Sequence, residues 1–524
     1  MGLALTACGQ MTVAPIASPS KTTASTPTLT ATSSPMPSTT ATLTPLPTLG
    51  SGPYLIVKPD SKSQAFSIYD THGGKKVIEL PPDGHIKGLG TKLDRLISPD
   101  GKWLVFYTGY THEIDGKTEL PLTLKLLNLN DGTIRIVANI VADGYQEKLN
   151  QLAEKLKKLD PESYKPQYLN PQDDGNWVGR GLITALERGI YSVAWSPDGH
   201  TLAFSAQIDG LSSDVYLYDL ETGQVQWAED SLQNITNIRW SADSKKIIFE
   251  DGEPGFGYMG ASELYAINYQ KETVKDPELL AYQSWMGSFD PVTQTWSPTG
   301  DWLTSNLLLV SGNTPDAGSS GIEALNINTG QSTLLWEHIF GSHAVDPQNK
   351  TIVVSPSDFT SPENLGIFLI ALNGRKTKIF NGLYYVDIFY RGGEKHRFIL
   401  QGISRAEING DTTSDHYPIA GQVIGIDANG RPDSFAKFEH KPQISISPDF
   451  SWLLLCDENT LNLYDKNDEL VKTFPIAGIQ RVIWRPDSQA IFYSIGKRLY
   501  MLTLPTGDPK WIDEMDIQDA VWLP

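Results

Sequence analysis

The side chains best suited to proton transfer or metal binding in this chain are carboxylates and histidines, and two stretches gather them. Asp411, Asp415 and His416 stand within Gly410 to Pro418, and Asp173, Asp174 and Asn176 fall in a second polar segment. Such sets would suit a hard or mixed-ligand cation, but neither spacing matches a metal-binding loop. Acidic loops of an acidic protein are ordinarily solvated, so no metal and no cofactor is expected. Asp100, Asp198, Asp449 and Asp487 recur in equivalent settings, each inside a tight turn, where the carboxylate serves the backbone rather than a substrate. His112 beside Glu113 and His343 are lone histidines, read as surface or hydrogen-bonded core. The sequence spells no Gly-x-Ser-x-Gly elbow, no His-Glu-x-x-His and no Gly-rich phosphate loop opening a helix. No catalytic residue is assigned.

The turns that hold those aspartates belong to a repeat. Trp195-Ser196-Pro197-Asp198-Gly199 is followed by the apolar strand Thr201-Leu202-Ala203-Phe204-Ser205, and variants recur at Ser98-Pro99-Asp100-Gly101, Trp240-Ser241-Ala242-Asp243, Trp296-Ser297-Pro298-Thr299-Gly300, Val345-Asp346-Pro347, Ile446-Ser447-Pro448-Asp449 and Trp484-Arg485-Pro486-Asp487. Pro at the second turn position has a fixed φ that fits, and Gly tolerates the left-handed conformation a short hairpin demands. A second hairpin follows about ten residues later, Val215 to Leu220 and Gln224 to Trp227 around Glu221-Thr222-Gly223, so each repeat holds four strands. Tandem four-stranded modules of this length read as the blades of a β-propeller. The Trp-Ser-Pro-Asp-Gly spelling before a Leu-Ala-Phe strand resembles the TolB-like and WD40-like propeller repeat family, over nearly everything after residue 53. That resemblance implies a fold and little about function, because such repeats serve scaffolds and peptidase-linked propellers alike.

Second hairpins start near Phe66, Thr123, Asp214, Glu263, Ile322, Gly366, Val423, Leu461 and Arg498, which predicts nine blades in a single all-β propeller, with eight as the alternative. The module at Tyr54 lacks its own first strand, and Asp519 to Leu523 at the other end reads as that strand. The expected domain, residues 52–524, is therefore a ring closed by residues 519–523, which leaves no open sheet edge. Residues 143–190 interrupt the pattern: Leu149, Leu152, Leu156 and Leu159 recur at helical spacing up to Pro161, giving a partly helical insertion.

Leu5-Thr6-Ala7-Cys8 resembles a bacterial lipobox, which implies acylation of Cys8 and an extracytoplasmic protein anchored to the membrane by lipid. Residues 1–8 then read as the remnant of a lipoprotein signal. Residues 9–51, rich in Ser, Thr and Pro and carrying the single charge of Lys21, read as a disordered tether spanning on the order of 35 Å as a coil. The other cysteine, Cys456, sits in an apolar run and is expected to be a buried thiol. A net charge of −19 excludes nucleic acid and anionic lipid as main partners of the body.

With the first strand innermost, the one-to-two and three-to-four turns lie on one face. The long connections, 108–122, 143–190, 251–262, 310–321, 356–365 and 402–421, lie on the other. Binding residues concentrate on such loops. The candidates are Trp177 and Arg180 on the insertion, Phe256 and Tyr258 in a Gly-rich loop, Trp285 and Met286 between blades, and His416 and Tyr417, aromatic and arginine types typical of interface anchors. The plainer role for each is to pin its own loop. Together they point to a binding or scaffolding module for a protein or glycan partner of the cell envelope. The alternatives are a hydrolase or lyase with a site at the channel mouth, and a purely structural envelope component.

Overall fold

The computed structural model describes residues 52–58, 65–70, 74–86, 93–108, 123–140, 158, 192–208, 213–229, 234–252, 262–270, 273–274, 278–281, 295–314, 318–356, 366–380, 383–404 and 421–523. They form nine blades of antiparallel strands, which answers the choice between eight and nine. Blade 3 shows the unit in full: Val193–Trp195, Thr201–Ala206, Asp214–Asp219 and Val225–Glu229, hydrogen-bonded in that order. Every strand of Thr201–Ala206 type is buried on both faces, because each blade is sandwiched between two others; this is why the second strands read as apolar runs rather than alternations.

The hydrophobic clusters lie between blades rather than within them. Leu55, Val57 and Tyr69 of blade 1 pack with Phe492 and Leu499 of blade 9, and Ile248 and Leu264 of blade 4 pack with Leu308 and Leu325 of blade 5. First strands are innermost. Trp240 Nε1 donates to the Ala194 carbonyl at 3.0 Å, and Trp484 Nε1 to Ser445 Oγ at 2.8 Å, each reaching the first strand of the preceding blade. Fourth strands form the rim, where Trp227, Trp511 and Ile136 are exposed.

The ring closes as expected. Asp519–Leu523 pairs with Tyr54–Lys58 over five residues, from Tyr54 opposite Leu523 to Lys58 opposite Asp519. The nine second hairpins also begin within a few residues of the expected positions, from Ala65 in blade 1 to Arg498 in blade 9. Between blades 5 and 6 a single strand, Ser332–Asp346, serves first as rim strand and then as inner strand.

Three details differ from the sequence reading. Trp296-Ser297-Pro298-Thr299-Gly300 is not a hairpin turn: the strand Thr295–Thr304 runs through it and turns at Ser305-Asn306. Thr304, Ser305 and Asn306 replace Ser-Pro-Asp there, with Thr304 Oγ1 donating to Asn306 Oδ1 at 2.8 Å and accepting from the Leu307 N–H at 3.1 Å. The expected loop 310–321 shrinks accordingly to 315–317 between Leu307–Thr314 and Gly318–Asn326. In blade 2 the first strand is broken. Among the described residues it comprises Gly84–His85 and the bridge from Ile97 to Leu104, with the helical turn Leu93–Leu96 just ahead of that bridge. The insertion 143–190 lies outside the described residues apart from Lys158.

Candidate functional site

The eight partner-binding candidates, Trp177, Arg180, Phe256, Tyr258, Trp285, Met286, His416 and Tyr417, all fall outside the described residues, as do Cys8, Asp411, Asp415, Asp173, Asp174 and Asn176. What the structure describes is the scaffold that carries their loops, and its two faces differ chemically.

On the short-turn face, polar groups are consumed by the turns themselves. Ser196 Oγ donates to Asp198 Oδ1 at 2.6 Å and accepts from the Thr201 N–H at 3.0 Å. The same pair recurs as Ser98 with Asp100, Ser241 with Asp243 and Ser447 with Asp449. Burial opposes ionisation of Asp449, but hydrogen bonds from Ser451, Ser488 and Ser447 bring its carboxyl down to about 2. Where glycine is absent from the left-handed turn position, Ser244, Phe450 and Ser488 adopt it, at φ of 58°, 60° and 59°. In blades 2, 3, 4, 5 and 9 the two turns are also latched together, as when the Leu220 N–H donates to His200 O at 2.9 Å and the Ile327 N–H to Asn306 O at 3.0 Å. The aspartates are thus turn braces, as their spelling implied.

The described strands that flank residues 109–122, 141–191, 253–261, 357–365 and 405–420 end on the opposite face. In blades 8 and 9 the second and third strands are joined by just 457–460 and 496–497.

Inside the ring, the break in blade 2 builds a cavity of about 380 Å³ against blades 1, 3 and 4, lined among others by Asp94, Arg95, Arg239, Trp195, Trp240 and Trp522. Leu93 and Leu96 anchor the helical turn by burial, and Asp519 Oδ2 accepts from the Leu93 N–H at 2.8 Å. Burial depresses the Arg239 pKa, and the Arg95 charge depresses it further; Glu250 and Asp301 oppose both. Arg239 Nε is buried with no acceptor. Arg95 and Arg239 stand with Asp94 in the lining, and Glu250 and Asp301 act on Arg239 from nearby, so the wall carries charges of both signs. Sequence reasoning missed this feature. Its only signal was the loss of alternation over Leu93-Asp94-Arg95-Leu96 just ahead of a Ser-Pro-Asp turn. His343, read as a hydrogen-bonded or surface histidine, pairs its Nε2 with Asp301 Oδ2 at 3.0 Å.

A second polar group joins blades 6, 7 and 8 on the short-turn face. In blade 7 the turn is Arg391-Gly392-Gly393-Glu394-Lys395-His396-Arg397 instead of Ser-Pro-Asp-Gly. Arg397 forks onto Asp346 of blade 6 with two 2.9 Å bonds. Arg391, wholly buried, donates from Nε to Asp468 of blade 8 at 3.1 Å and from Nη2 to Asp465 O at 2.7 Å. His396 Nδ1 lies 2.8 Å from Asp468 Oδ2. Every member is tied to another, so the group is a staple rather than a site. Cys456 is buried as expected, its thiol pushed up to about 12 by burial and by Asp457.

Among the described residues no set of three or more His, Cys, Asp or Glu side chains is arranged to hold a metal ion, and no helix is long and apolar enough to cross a membrane.

No protein-family model and no curated protein matches the chain. Solved structures resembling it include a eukaryotic initiation factor, at 13% identity and a TM-score of 0.46, covering 90% of this chain and 98% of that one. TolB from Acinetobacter baumannii aligns at 16% identity and 0.29, over 62% of this chain and 61% of its own. An oligogalacturonate lyase in complex with manganese aligns at 11% and 0.34, over 86% and 97%. At these values the likenesses carry no argument; the nine-bladed propeller is read from the strand order itself.

Proposed function

We propose that this propeller is a binding module that engages a protein or glycan partner through its loop-rich face, held at the bacterial cell envelope by a lipid on Cys8. One observation carries the reading: the short-turn face spends its serines and aspartates on bracing its own turns, whereas the strands flanking the chain's longest connections end on the other face. A rigid ring with short braced turns on one face and long connections on the other is the arrangement in which loops can vary without disturbing the core. Supporting it, the loops carry Trp177, Arg180, Phe256, Tyr258, Trp285, Met286, His416 and Tyr417, large side chains that plain connectors do not need.

The test replaces residues 145–188 by a short Gly-Ser bridge and, separately, makes Trp285→Ala and Tyr417→Ala in the full chain, then measures recovery of the partner captured from native membranes. Reduced recovery with an unchanged unfolding transition is the expected result. Unchanged recovery in all three, with loss on altering the short-turn face, overturns the reading. Anchoring is tested apart from it: Cys8→Ser, in a precursor with a full signal, is expected to abolish fatty-acid labelling and release the protein from membranes.

A further inference from the structure

Between blades 4 and 5 the short-turn face opens into a cleft of about 820 Å³. Its walls come from the first turn of blade 4, the end of that blade's third strand, and both turns of blade 5. The groups facing it are unlike the self-satisfied turns elsewhere on this face.

Lys246 is the first of them. The residue is only 9% exposed, it lines the cleft, and among the described residues its ammonium has no hydrogen bond or ion pair. Lys76, at 5% exposure, shows what a buried lysine in this ring ordinarily does: its Nζ donates to Leu129 O at 3.1 Å and to Asn130 O at 2.5 Å, carbonyls at the second turn of the next blade. The equivalent turn of blade 5 is Ile327-Asn328, which also lines the cleft, but Lys246 makes no such bond. The stem is buried and the ammonium opens to the cleft unpaired, so an anionic acceptor brought there would gain a charge-assisted hydrogen bond.

The neighbours are amides. Asn268 sits directly opposite Lys246 in the strand register, which places both side chains on one face of the sheet. Asn306 spends its carbonyl oxygen on Thr304 and keeps its amide N–H groups, and the Asn328 side chain makes no hydrogen bond among the described residues. Tyr269 is a fixed wall, its ring edge-on to Trp240 with centroids 5.1 Å apart and its hydroxyl 3.1 Å from Thr201 Oγ1. Of charged groups, Lys245 adds a second cation and Asp243 one anion. Hydrogen bonding to Ser241 and Lys245 keeps Asp243 ionised, so it is already engaged within its own turn. The Arg95 and Arg239 pair in the channel differs, since Glu250 and Asp301 balance it.

We propose that this cleft binds a hydroxylated carboxylate of monosaccharide to disaccharide size, a sugar acid, whose carboxylate pairs with Lys246 and whose hydroxyls meet the amides of Asn268, Asn306 and Asn328. Ammonium groups select the charge, amides with both donors and acceptors suit vicinal hydroxyls, and the volume matches a small-molecule site. The proposal is independent of the loop-rich face and stands or falls apart from it.

Calorimetric titration of the full chain with glucuronate, glucose and sulfate tests it. Glucuronate is expected to bind with a Kd of about 1 mM or tighter, with glucose and sulfate weaker. Lys246→Met keeps the apolar stem and removes the charge, and is expected to weaken glucuronate about tenfold or more without lowering the unfolding midpoint. Asn268→Ala and Asn328→Ala, which cannot unbalance a buried charge, are expected to weaken glucuronate and leave sulfate unchanged. Four results overturn the proposal: no glucuronate binding, equal binding of glucose, equal binding of sulfate, or glucuronate affinity unaffected by Lys246→Met.

Discussion

Removing the carboxylate of Asp468 is expected to weaken the ring more than removing any exposed acid. Its two oxygens accept from Arg391 Nε at 3.1 Å and face His396 Nδ1 at 2.8 Å, and the side chains of Arg391 and Asp468 are both fully buried. Asp468→Ala leaves the guanidinium in place with only the carbonyls of Phe450 and Asp465 to hold it. Breaking one side of a buried ion pair costs about 3–5 kcal/mol, because the surviving charge is stranded away from water. Glu394 supplies the comparison within the same turn: it pairs with Lys466 at 3.2 Å, but both side chains are well exposed, so Glu394→Ala is expected to cost about 0–1 kcal/mol. Equilibrium urea unfolding of both variants, monitored by tryptophan fluorescence and by circular dichroism to check that the transitions coincide, reads the difference. Arg391→Met added to Asp468→Ala is expected to recover part of the loss, since the stranded charge is then gone. Equal losses for Asp468→Ala and Glu394→Ala, or no recovery in the double variant, would refute the reasoning.

Trp522, on the closing strand, is only half-buried. It lies edge-on to Phe492 with centroids 5.4 Å apart, and its Nε1 lacks the acceptor that Trp240 and Trp484 find. Trp522→Ala is therefore expected to cost about 2–3 kcal/mol rather than the 3–5 of a fully buried ring, and deletion of 519–523 considerably more; a deletion melting within a degree or two of the parent would contradict closure. Gly425→Ala is expected to destabilise the ring by displacing His396, because a Cβ there would meet the imidazole Cγ 2.4 Å away; an unchanged denaturation midpoint would show that the ring yields freely. The Asp449 carboxyl is depressed to about 2 in the folded state, against an unfolded value of about 3.9. Its contribution is thus present above about pH 4 and lost as pH falls toward 2. Asp449→Asn should flatten that part of the acid unfolding curve, and a curve of unaltered slope contradicts the assignment.

The turns were legible because their chemistry is local: Pro, Asp and Gly fix a hairpin within five residues, and the nine second hairpins between and beside them spell the ring. The same locality explains the miss at Trp296. Thr304 and Asn306 perform the bracing of Ser and Asp without resembling them, and shifting the turn buries Leu303 between blades. The staple of blade 7 had no legible signal, since Asp346, Arg391 and Asp468 are far apart in sequence and meet only through the ring. Nor was the cleft legible. Lys246 opens an apolar strand as an unremarkable surface residue would, and only the blade 5 turns make its burial unusual. The loop candidates were chosen by residue type and loop length, the two properties sequence does report, and their geometry lies beyond the described strands.

The most direct test of the loop-rich face as the binding face is site-specific photo-crosslinking in native membranes. A photoreactive amino acid is placed singly at Trp285 or Tyr417 on that face, and at Glu221 or Asn467 on the short-turn face. The account predicts partner adducts from the first two positions and none from the last two. Adducts confined to Glu221 and Asn467 would contradict it.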